Sequence, residues 1–527
     1  MTTPLRRRAA WLFLAVSGLS LALAWMLASP VGASPDEQAH IDYAWGTVTG
    51  QTVVGEQLVT LPDGRTATSV QVPQKLLQFP PPGCYAFHPD KPVTQCAPSP
   101  ADNLQLVTQP SYMSRYPPLF YAVEGAALRA ATAGDLSGPR VLYGARLVAA
   151  VLSLLAVLGG VFLLARRFPG RVVVLATLFA LPSTAWFLAA SVNPNGLEIA
   201  AAFLLAAGVL ALRVDHAIGA RSLGAVLAIP IGTLLLVWSR PVSWVWATLI
   251  LGLLLVPTSQ KDGESWKRRL PVRSLGALAA TATALLLAGS VAWFGYALQI
   301  RASDPARLNA GGWGGLNPVG RVLLLVLHSG TIVTEQIGTF GWLDTPLPPV
   351  AVLGWVSTAA LAAVIWFVGR NTSVPRWSVG AVLGLGYLAA MLDEYSGAWG
   401  WQGRYLLPVT AAVCVLAIPG LVSGLERLSA LRSLVPWMLV ALMAVNALSV
   451  AWFLWRNVYG VRPGPRRLPS TPGPVGTPSW IPPLGQGVVL ALVTLAFASG
   501  VTAVWALRVV PAIAEASPEP AEQVSAH

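Results

Sequence analysis

Apolar positions along the chain gather into long runs nearly free of charge, separated by short polar turns and a few long polar stretches. Twelve runs stand out, at 11–29, 141–164, 172–191, 197–213, 223–239, 242–257, 275–299, 348–368, 378–394, 405–424, 434–455 and 485–509. Lipid offers the backbone no hydrogen-bond partners, so such runs satisfy their own amides as helices. At 1.5 Å per residue they are of the length that crosses a hydrocarbon layer about 30 Å thick. The pattern predicts an all-α polytopic integral membrane protein with about twelve transmembrane helices and large external loops. Two further stretches, 116–131 and 317–334, have amphipathic spacing and are expected to lie on the membrane surface, with Glu124 on the polar face of the first.

Basic residues set the expected orientation. Arg6, Arg7 and Arg8 precede the first run, and later groups (Arg166/Arg167/Arg171, Lys261/Lys267/Arg268/Arg269/Arg273, Arg370/Arg376, Arg427/Arg432) fall in alternate connections, which the positive-inside rule assigns to the cytoplasm. Both termini are then cytoplasmic. The first run is about 18 residues, longer than the apolar stretch of a signal peptide, so an uncleaved helix is expected. The chain divides into a cytoplasmic N-terminus with the first helix (1–29), a first external loop (30–140), helices two to seven (141–299) and a second external loop (300–347). Helices eight to eleven (348–455), an external Pro/Gly-rich loop (456–484), the last helix (485–510) and a disordered cytoplasmic tail (511–527) complete it.

Composition agrees with this division. Charged residues are 11% of the 527, against about 25% in soluble proteins, and mean hydropathy is +0.62. A soluble enzyme, a disordered chain and a nucleic-acid binder are excluded. The net charge of +12 does not change this, because the basic residues form small groups between runs rather than a patch; the partners implied are membrane lipids. Many of the 21 tryptophans, among them Trp25, Trp186, Trp238, Trp293 and Trp455, sit at run ends as interfacial anchors do. Of three cysteines, Cys84 and Cys96 lie twelve positions apart in the first external loop and are expected to form a disulfide, while Cys414 is inside an apolar run.

The densest polar chemistry follows the first helix, in Ser34-Pro35-Asp36-Glu37-Gln38-Ala39-His40-Ile41-Asp42-Tyr43-Ala44-Trp45. Adjacent carboxylates there complement a helix N-terminus, yet their place at the membrane face also lets them meet a lipid-borne donor and a polar acceptor together. Further polar segments recur in order: Tyr116-Pro117-Pro118-Leu119-Phe120-Tyr121, Ser191-Val192-Asn193-Pro194-Asn195-Gly196, Gly338-Thr339-Phe340-Gly341-Trp342-Leu343-Asp344, and Trp401-Gln402-Gly403-Arg404-Tyr405-Leu406-Leu407-Pro408. The sequence has no Walker-type loop, no HExxH and no GxSxG elbow, which sets aside ATP-driven, zincin and α/β-hydrolase chemistry.

These five segments, in this order, resemble the bacterial membrane-protein family known as domain of unknown function 2142, which is similar in architecture to the GT-C glycosyltransferases. The resemblance implies transfer of a sugar from a polyprenyl-phosphate donor to a cell-envelope glycan or lipid acceptor at the outer face of the plasma membrane. Its hallmark, an acidic residue in the first external loop, maps onto Asp36 or Glu37, the expected catalytic pair. Family members often carry an acid after the central Asn turn; here Asn195 stands in that place. Metal dependence stays open, since some GT-C enzymes use a divalent cation and others do not.

The remaining candidates follow from what such a reaction needs. The departing phosphate calls for cations, and Arg404, beside Gly403, and Arg240, in Trp238-Ser239-Arg240-Pro241, are the candidates. His40, Tyr43, Asp344 and Gln402 are candidate polar contacts to substrate, and Trp342, Trp399 and Trp401 candidate stacking surfaces. Asp393 and Glu394, at a run's end, are expected to pair with Arg404. The alternatives are a transporter or flippase of lipid-linked envelope precursors, or a non-catalytic scaffold of an envelope-synthesis complex.

Overall fold

The computed structural model describes residues 4–51, 58–60, 66–77, 84, 86–91, 102–113, 115–134, 136–215, 222–257, 273–302, 317–370, 373–395, 401–462, 471–472 and 480–507. Cys96, Trp399 and the tail from 511 lie outside these residues.

Helix α1 (Pro4–Ala28) carries no charge beyond Arg8 and ends just ahead of Pro30, where the missing amide and the ring's restraint on the preceding residue stop helical hydrogen bonding. After a tight turn, α2 (Glu37–Val48) begins. It is followed by a small antiparallel sheet of order β1-β2-β3 (Leu58–Thr60, Thr66–Pro73, Leu106–Ser111), in which Thr68 pairs with Ser111 and Pro73 with Leu106. No apolar alternation long enough to announce this sheet exists in the sequence. Helix α3 (Pro118–Ala133) packs lengthwise on α2, and the approach requires Gly125: a Cβ there would lie 2.1 Å from the Ala44 carbonyl oxygen. That packing corrects the expectation of a surface helix with a solvated Glu124. Glu124 faces inward and is wholly buried, beside Tyr121 and Leu128, because α2 covers the side that water was expected to cover.

The bundle then runs through α4 (Gly138–Ala165), α5 (Gly170–Ala180), α6 (Ser183–Ala189), α7 (Pro194–Val214), α8 (Leu223–Val237), α9 (Ser243–Gly252) and α10 (Arg273–Ala302). It continues with α11 (Pro318–Gly338), a short hairpin of β4 (Thr339–Phe340) and β5 (Thr345–Pro346), α12 (Pro349–Val368) and α13 (Arg376–Tyr395). A 3₁₀ turn at Gly403–Leu406 leads into α14 (Leu407–Leu416) and α15 (Ile418–Arg427); α16 (Val435–Tyr459), the pair β6 (Val461–Arg462) and β7 (Thr471–Pro472), and α17 (Gly485–Ala506) follow. Among the described residues, seven helices are long and apolar enough to cross a membrane. The pairs α5/α6 and α14/α15, bent by 73° and 43°, each have the length and composition of one broken span or a re-entrant loop, and α8, α9 and α13 are shorter apolar helices. Each of these twelve segments falls on one of the twelve runs in the sequence.

Helix α7 is the centre of the bundle: 83% of its apolar window is buried, against 11% for α10 at the edge. It packs on α4, α8 and α14, while α1 packs along α17. Every residue of α7 from Pro194 to Ala211 is buried, including Glu198, which brings a carboxylate to the end of the bundle where α1 also finishes.

Candidate functional site

The site is assembled on the turn between α1 and α2. Glu37 opens α2 and is completely buried, and each of its oxygens is taken. The Arg146 guanidinium of α4 donates from Nε to Oε1 at 2.7 Å and from Nη2 to Oε2 at 2.6 Å. The Gly32 amide adds a bond to Oε2 at 2.7 Å, and the Val192 amide one to Oε1 at 3.1 Å. Arg146 itself also donates to the carbonyls of Met26, Ser29 and Pro30, which lost their helical partners where α1 stops. A bidentate fork of this kind holds the turn rigidly. No lone pair of Glu37 faces open space.

Asp36, one residue earlier, has the opposite surroundings. Its backbone is left-handed (φ 63°), a conformation that costs a non-glycine residue energy and persists only when the surroundings impose it. Its side chain is 26% exposed. Tyr112 donates to Oδ1 at 2.6 Å and Arg404 donates from Nη2 to Oδ2 at 3.3 Å. Burial acts to raise the Asp36 pKa, but Arg404, then His40 and the Tyr112 hydroxyl, outweigh it and hold the carboxyl below the usual carboxylate value. At the Arg404 distance, an effective dielectric near 20 makes the attraction worth about 5 kcal/mol before desolvation, which is why it wins.

Two arginines converge beside this carboxylate. Arg404 sits in the 3₁₀ turn that Gly403 lets lie against α11: a Cβ at 403 would meet the Ile332 carbonyl oxygen at 2.2 Å, and the Gly403 amide donates to Glu335 at 2.6 Å. Its guanidinium carbon lies 5.1 Å from the Tyr405 ring centroid, and Nη2 also donates to the Tyr405 hydroxyl at 3.2 Å. Arg240, in the turn between α8 and α9, lies 4.2 Å over the same ring and 5.8 Å from that of Tyr116. Its Nη1 donates to Glu198 at 3.4 Å, and Ser243 donates to the other Glu198 oxygen at 2.6 Å. Both arginines are buried, yet among the described residues Nε and Nη1 of Arg404 and Nε of Arg240 have no hydrogen-bond partner. Buried guanidinium donors left open in this way are costly unless an anion completes them.

Tyrosines and a histidine wall the remaining side. His40 Nδ1 and the Tyr121 hydroxyl are 2.8 Å apart, and the Tyr43 and Tyr121 rings meet edge-on at 4.5 Å. Tyr43 donates to the Tyr116 carbonyl at 3.2 Å. Burial, together with Arg404 and Arg240 and only partly offset by Asp36, pushes the His40 pKa down to about 3, so its ring is neutral. Asp42 and Glu124 are buried with no partner for either carboxyl oxygen among the described residues, and burial raises both well above the ordinary carboxylate value; they hold their protons.

The other candidates surround this cluster or lie beyond it. Trp342 donates from its indole to the Gly32 carbonyl at 3.2 Å. Asp344 is buried in an ion pair with Arg456 at 3.0 Å and accepts the Phe87 amide at 3.1 Å. Trp401 is buried, edge-on to Tyr405 at 5.5 Å, and Gln402 Oε1 has no partner among the described residues. Arg404 pairs with Asp36; the side chains of Asp393 and Glu394 lie outside the described residues. Cys84 is disulfide-bonded and Cys414 is free.

Sequence reading missed Arg146, Tyr112, Glu198 and Tyr405. Arg146 and Glu198 had a legible signal, as charges inside apolar runs, where an unpaired charge is expensive. Glu198 is an acid three positions after Asn195. Three of the four later segments are bonded directly to the first (Ser191 to Ser34 and Asn193 to Pro35, Tyr121 to His40, Arg404 to Asp36), and the fourth reaches the turn just ahead of it, Trp342 to Gly32.

A divalent cation does not fit this arrangement. Both Glu37 oxygens are occupied, Asp36 holds a tyrosine and an arginine, and among the described residues no group of three His, Cys, Asp or Glu side chains could hold a metal ion.

A comparison with curated proteins finds no match. Among solved structures, ArnT from Cupriavidus metallidurans bound to undecaprenyl phosphate aligns with 94% of this chain and 76% of its own at 13% identity and a TM-score of 0.38. The Archaeoglobus fulgidus oligosaccharyltransferase in complex with zinc and sulfate aligns with 86% of this chain at 13% identity and a TM-score of 0.42, the chain spanning 54% of that protein's length. Likenesses this distant carry no assignment of activity. The family model described as predicted membrane protein (DUF2142) matches residues 19–413, well over half of the sequence, and the chain belongs to that family.

Proposed function

We propose that the protein is a glycosyltransferase of the GT-C kind, moving a sugar from a polyprenyl-phosphate donor to a cell-envelope glycan or lipid acceptor at the outer face of the bacterial plasma membrane, with both termini cytoplasmic. The observation that carries the reading is the juxtaposition of two buried arginines with unfilled N–H donors and one partly exposed, strained carboxylate, all where membrane-spanning helices end. A phosphate completes the open donors of Arg404 and Arg240. The tail of such a donor stays in lipid while its phosphate and sugar reach the helix ends. The donor class itself comes from the family resemblance.

Asp36 is the general base in this reading. The acceptor hydroxyl oxygen attacks the anomeric carbon, and the bond from that carbon to the phosphate oxygen breaks, its electron pair staying on the phosphate. The acceptor proton passes to Asp36. The transition state has oxocarbenium character, so the hydroxyl becomes acidic only as the bond to carbon forms, and a weakly basic carboxylate suffices. The bound phosphate also places negative charge near Asp36 and competes for Arg404, both of which raise the basicity of Asp36 when the donor is in place. The two guanidiniums meet the second charge that develops on the departing phosphate. Glu37 is a structural clamp, and Glu198 with Ser243 orients Arg240.

The test is reconstitution in nanodiscs with polyprenyl-phosphate sugars, together with the envelope glycans of a deletion strain carrying wild type or Asp36→Asn. Loss of one sugar in the deletion, restored by wild type and not by Asp36→Asn at equal abundance, supports the reading. Full restoration by Asp36→Asn overturns it.

A further inference from the structure

A lone exposed phenylalanine ordinarily calls for no explanation, but Phe87 is held in place by several unusual features. It is 69% exposed and its φ is 65°, a left-handed backbone that is an outlier for a bulky side chain. Its amide donates to Asp344 at 3.1 Å, and that carboxylate is buried in the ion pair with Arg456, with Thr345 donating to its other oxygen at 2.9 Å. Three residues before it, Cys84 is disulfide-bonded; two residues after it, the Pro89 carbonyl accepts the Val461 amide at 2.8 Å. The loop is thus pinned from both sides with the ring outward. The ring's neighbour is Trp342, edge-on at 6.3 Å, whose indole is bonded to the Gly32 carbonyl in the same turn that carries Asp36.

The surroundings decide what the ring faces. His88, Asp90 and Lys91 beside it are exposed, and charged groups so placed require water rather than hydrocarbon. A water-facing aromatic ring, immobilised at the cost of backbone strain and linked through Trp342 to the Asp36 turn, suits the apolar face of a sugar ring, which stacks its C–H groups on an aromatic surface while its hydroxyls stay hydrated. We propose that Phe87, backed by Trp342, is a carbohydrate platform that seats a pyranose unit of the acceptor. This deepens the glycosyltransferase reading and rests on it for the word acceptor; the binding itself does not.

Saturation-transfer NMR with the protein in nanodiscs tests it, using methyl β-glucoside, methyl β-galactoside, methyl α-mannoside and their disaccharides as probes. Wild type is expected to saturate protons on the apolar ring face, H1, H3 and H5 in the β-glucoside, of at least one probe. Phe87→Gly removes the ring and suits the left-handed backbone, so it folds as wild type and weakens that probe by about tenfold. Phe87→Tyr retains binding. No saturation with any probe, or equal binding by Phe87→Gly, overturns the proposal. So does a spin label at position 87 relaxed by a lipid-soluble rather than a water-soluble agent, which would make the ring a bilayer anchor. Retained saccharide binding without sugar transfer in reconstitution defeats the glycosyltransferase reading and leaves the platform standing.

Discussion

Asp36 and Glu37 are neighbours of identical chemistry, and the structure predicts that isosteric neutralisation separates them completely. In Glu37→Gln the charge opposing Arg146 disappears inside a fully buried pocket. The new amide nitrogen also faces donors: of Arg146 Nε, Arg146 Nη2, Gly32 N and Val192 N, the two on whichever oxygen becomes nitrogen lose their acceptor. Removing one partner of a buried pair costs about 3–5 kcal/mol, because the remaining charge stays desolvated and uncompensated. Asp36→Asn loses a 3.3 Å contact at a side chain that is 26% exposed, where water compensates in part although Arg404 itself is buried, and the loss of stability is expected to be smaller, about 1–2 kcal/mol. Its activity falls instead, by about 10²–10⁴, the usual worth of a general base. Unfolding titrations in SDS–dodecylmaltoside mixtures, read by tryptophan fluorescence, measure the first quantity and sugar transfer in nanodiscs the second. A double cycle with Arg146→Met isolates the pair, with a coupling of about 2 kcal/mol or more expected. Wild-type stability in Glu37→Gln together with lost transfer would refute the reasoning, since Glu37 would then be catalytic rather than a clamp.

Three further outcomes follow from the same geometry. Arg404→Lys keeps a charge but loses the planar fork, so transfer should fall by about 10²-fold with a raised donor KM; unchanged kinetics would remove Arg404 from the phosphate site. In the proposed reaction the ionised form of Asp36 is the base, and its carboxyl is held below the ordinary value, so activity should be lost only as pH falls through that depressed range; with His40 already neutral, kcat/KM of the free enzyme should be level from about pH 5 to 8, and a limb near the ordinary histidine value would contradict the burial of His40. Glu124 holds its proton in the folded state and ionises on unfolding, so its contribution is intact below the ordinary carboxylate pKa and is lost as pH rises towards the folded value, by at most about 1.4 kcal/mol per pH unit. Unfolding of Glu124→Gln should therefore gain on wild type between pH 5 and pH 8, and an equal difference at both values would show the carboxyl to be ionised or solvated.

What could be read from the sequence is what depends on neighbouring residues alone. Apolar runs must bury their backbone polarity as helices whatever surrounds them, so all twelve segments were legible, α5/α6 and α14/α15 included, although their bends were not. The segments around Asp36, Tyr121, Asn193, Trp342 and Arg404 were legible too, as polar chemistry concentrated where runs end. Their meeting at one turn was not, because Asp36 and Arg404 are 368 positions apart and only the packing of the bundle brings them within 3.3 Å. The same holds for the division of labour within the Asp-Glu pair. Two adjacent carboxylates have equal intrinsic acidity and reach; one became a clamp because Arg146 lies behind it, and the other stayed open because its left-handed backbone turns it towards Tyr112 and Arg404. Glu124 shows the limit from the other direction. Its position on an amphipathic helix predicted water, and it is buried because Gly125, with no Cβ, lets α2 approach closely enough to cover it. Local propensity is a property of the chain, whereas the dielectric and the partners around a charge belong to the tertiary fold.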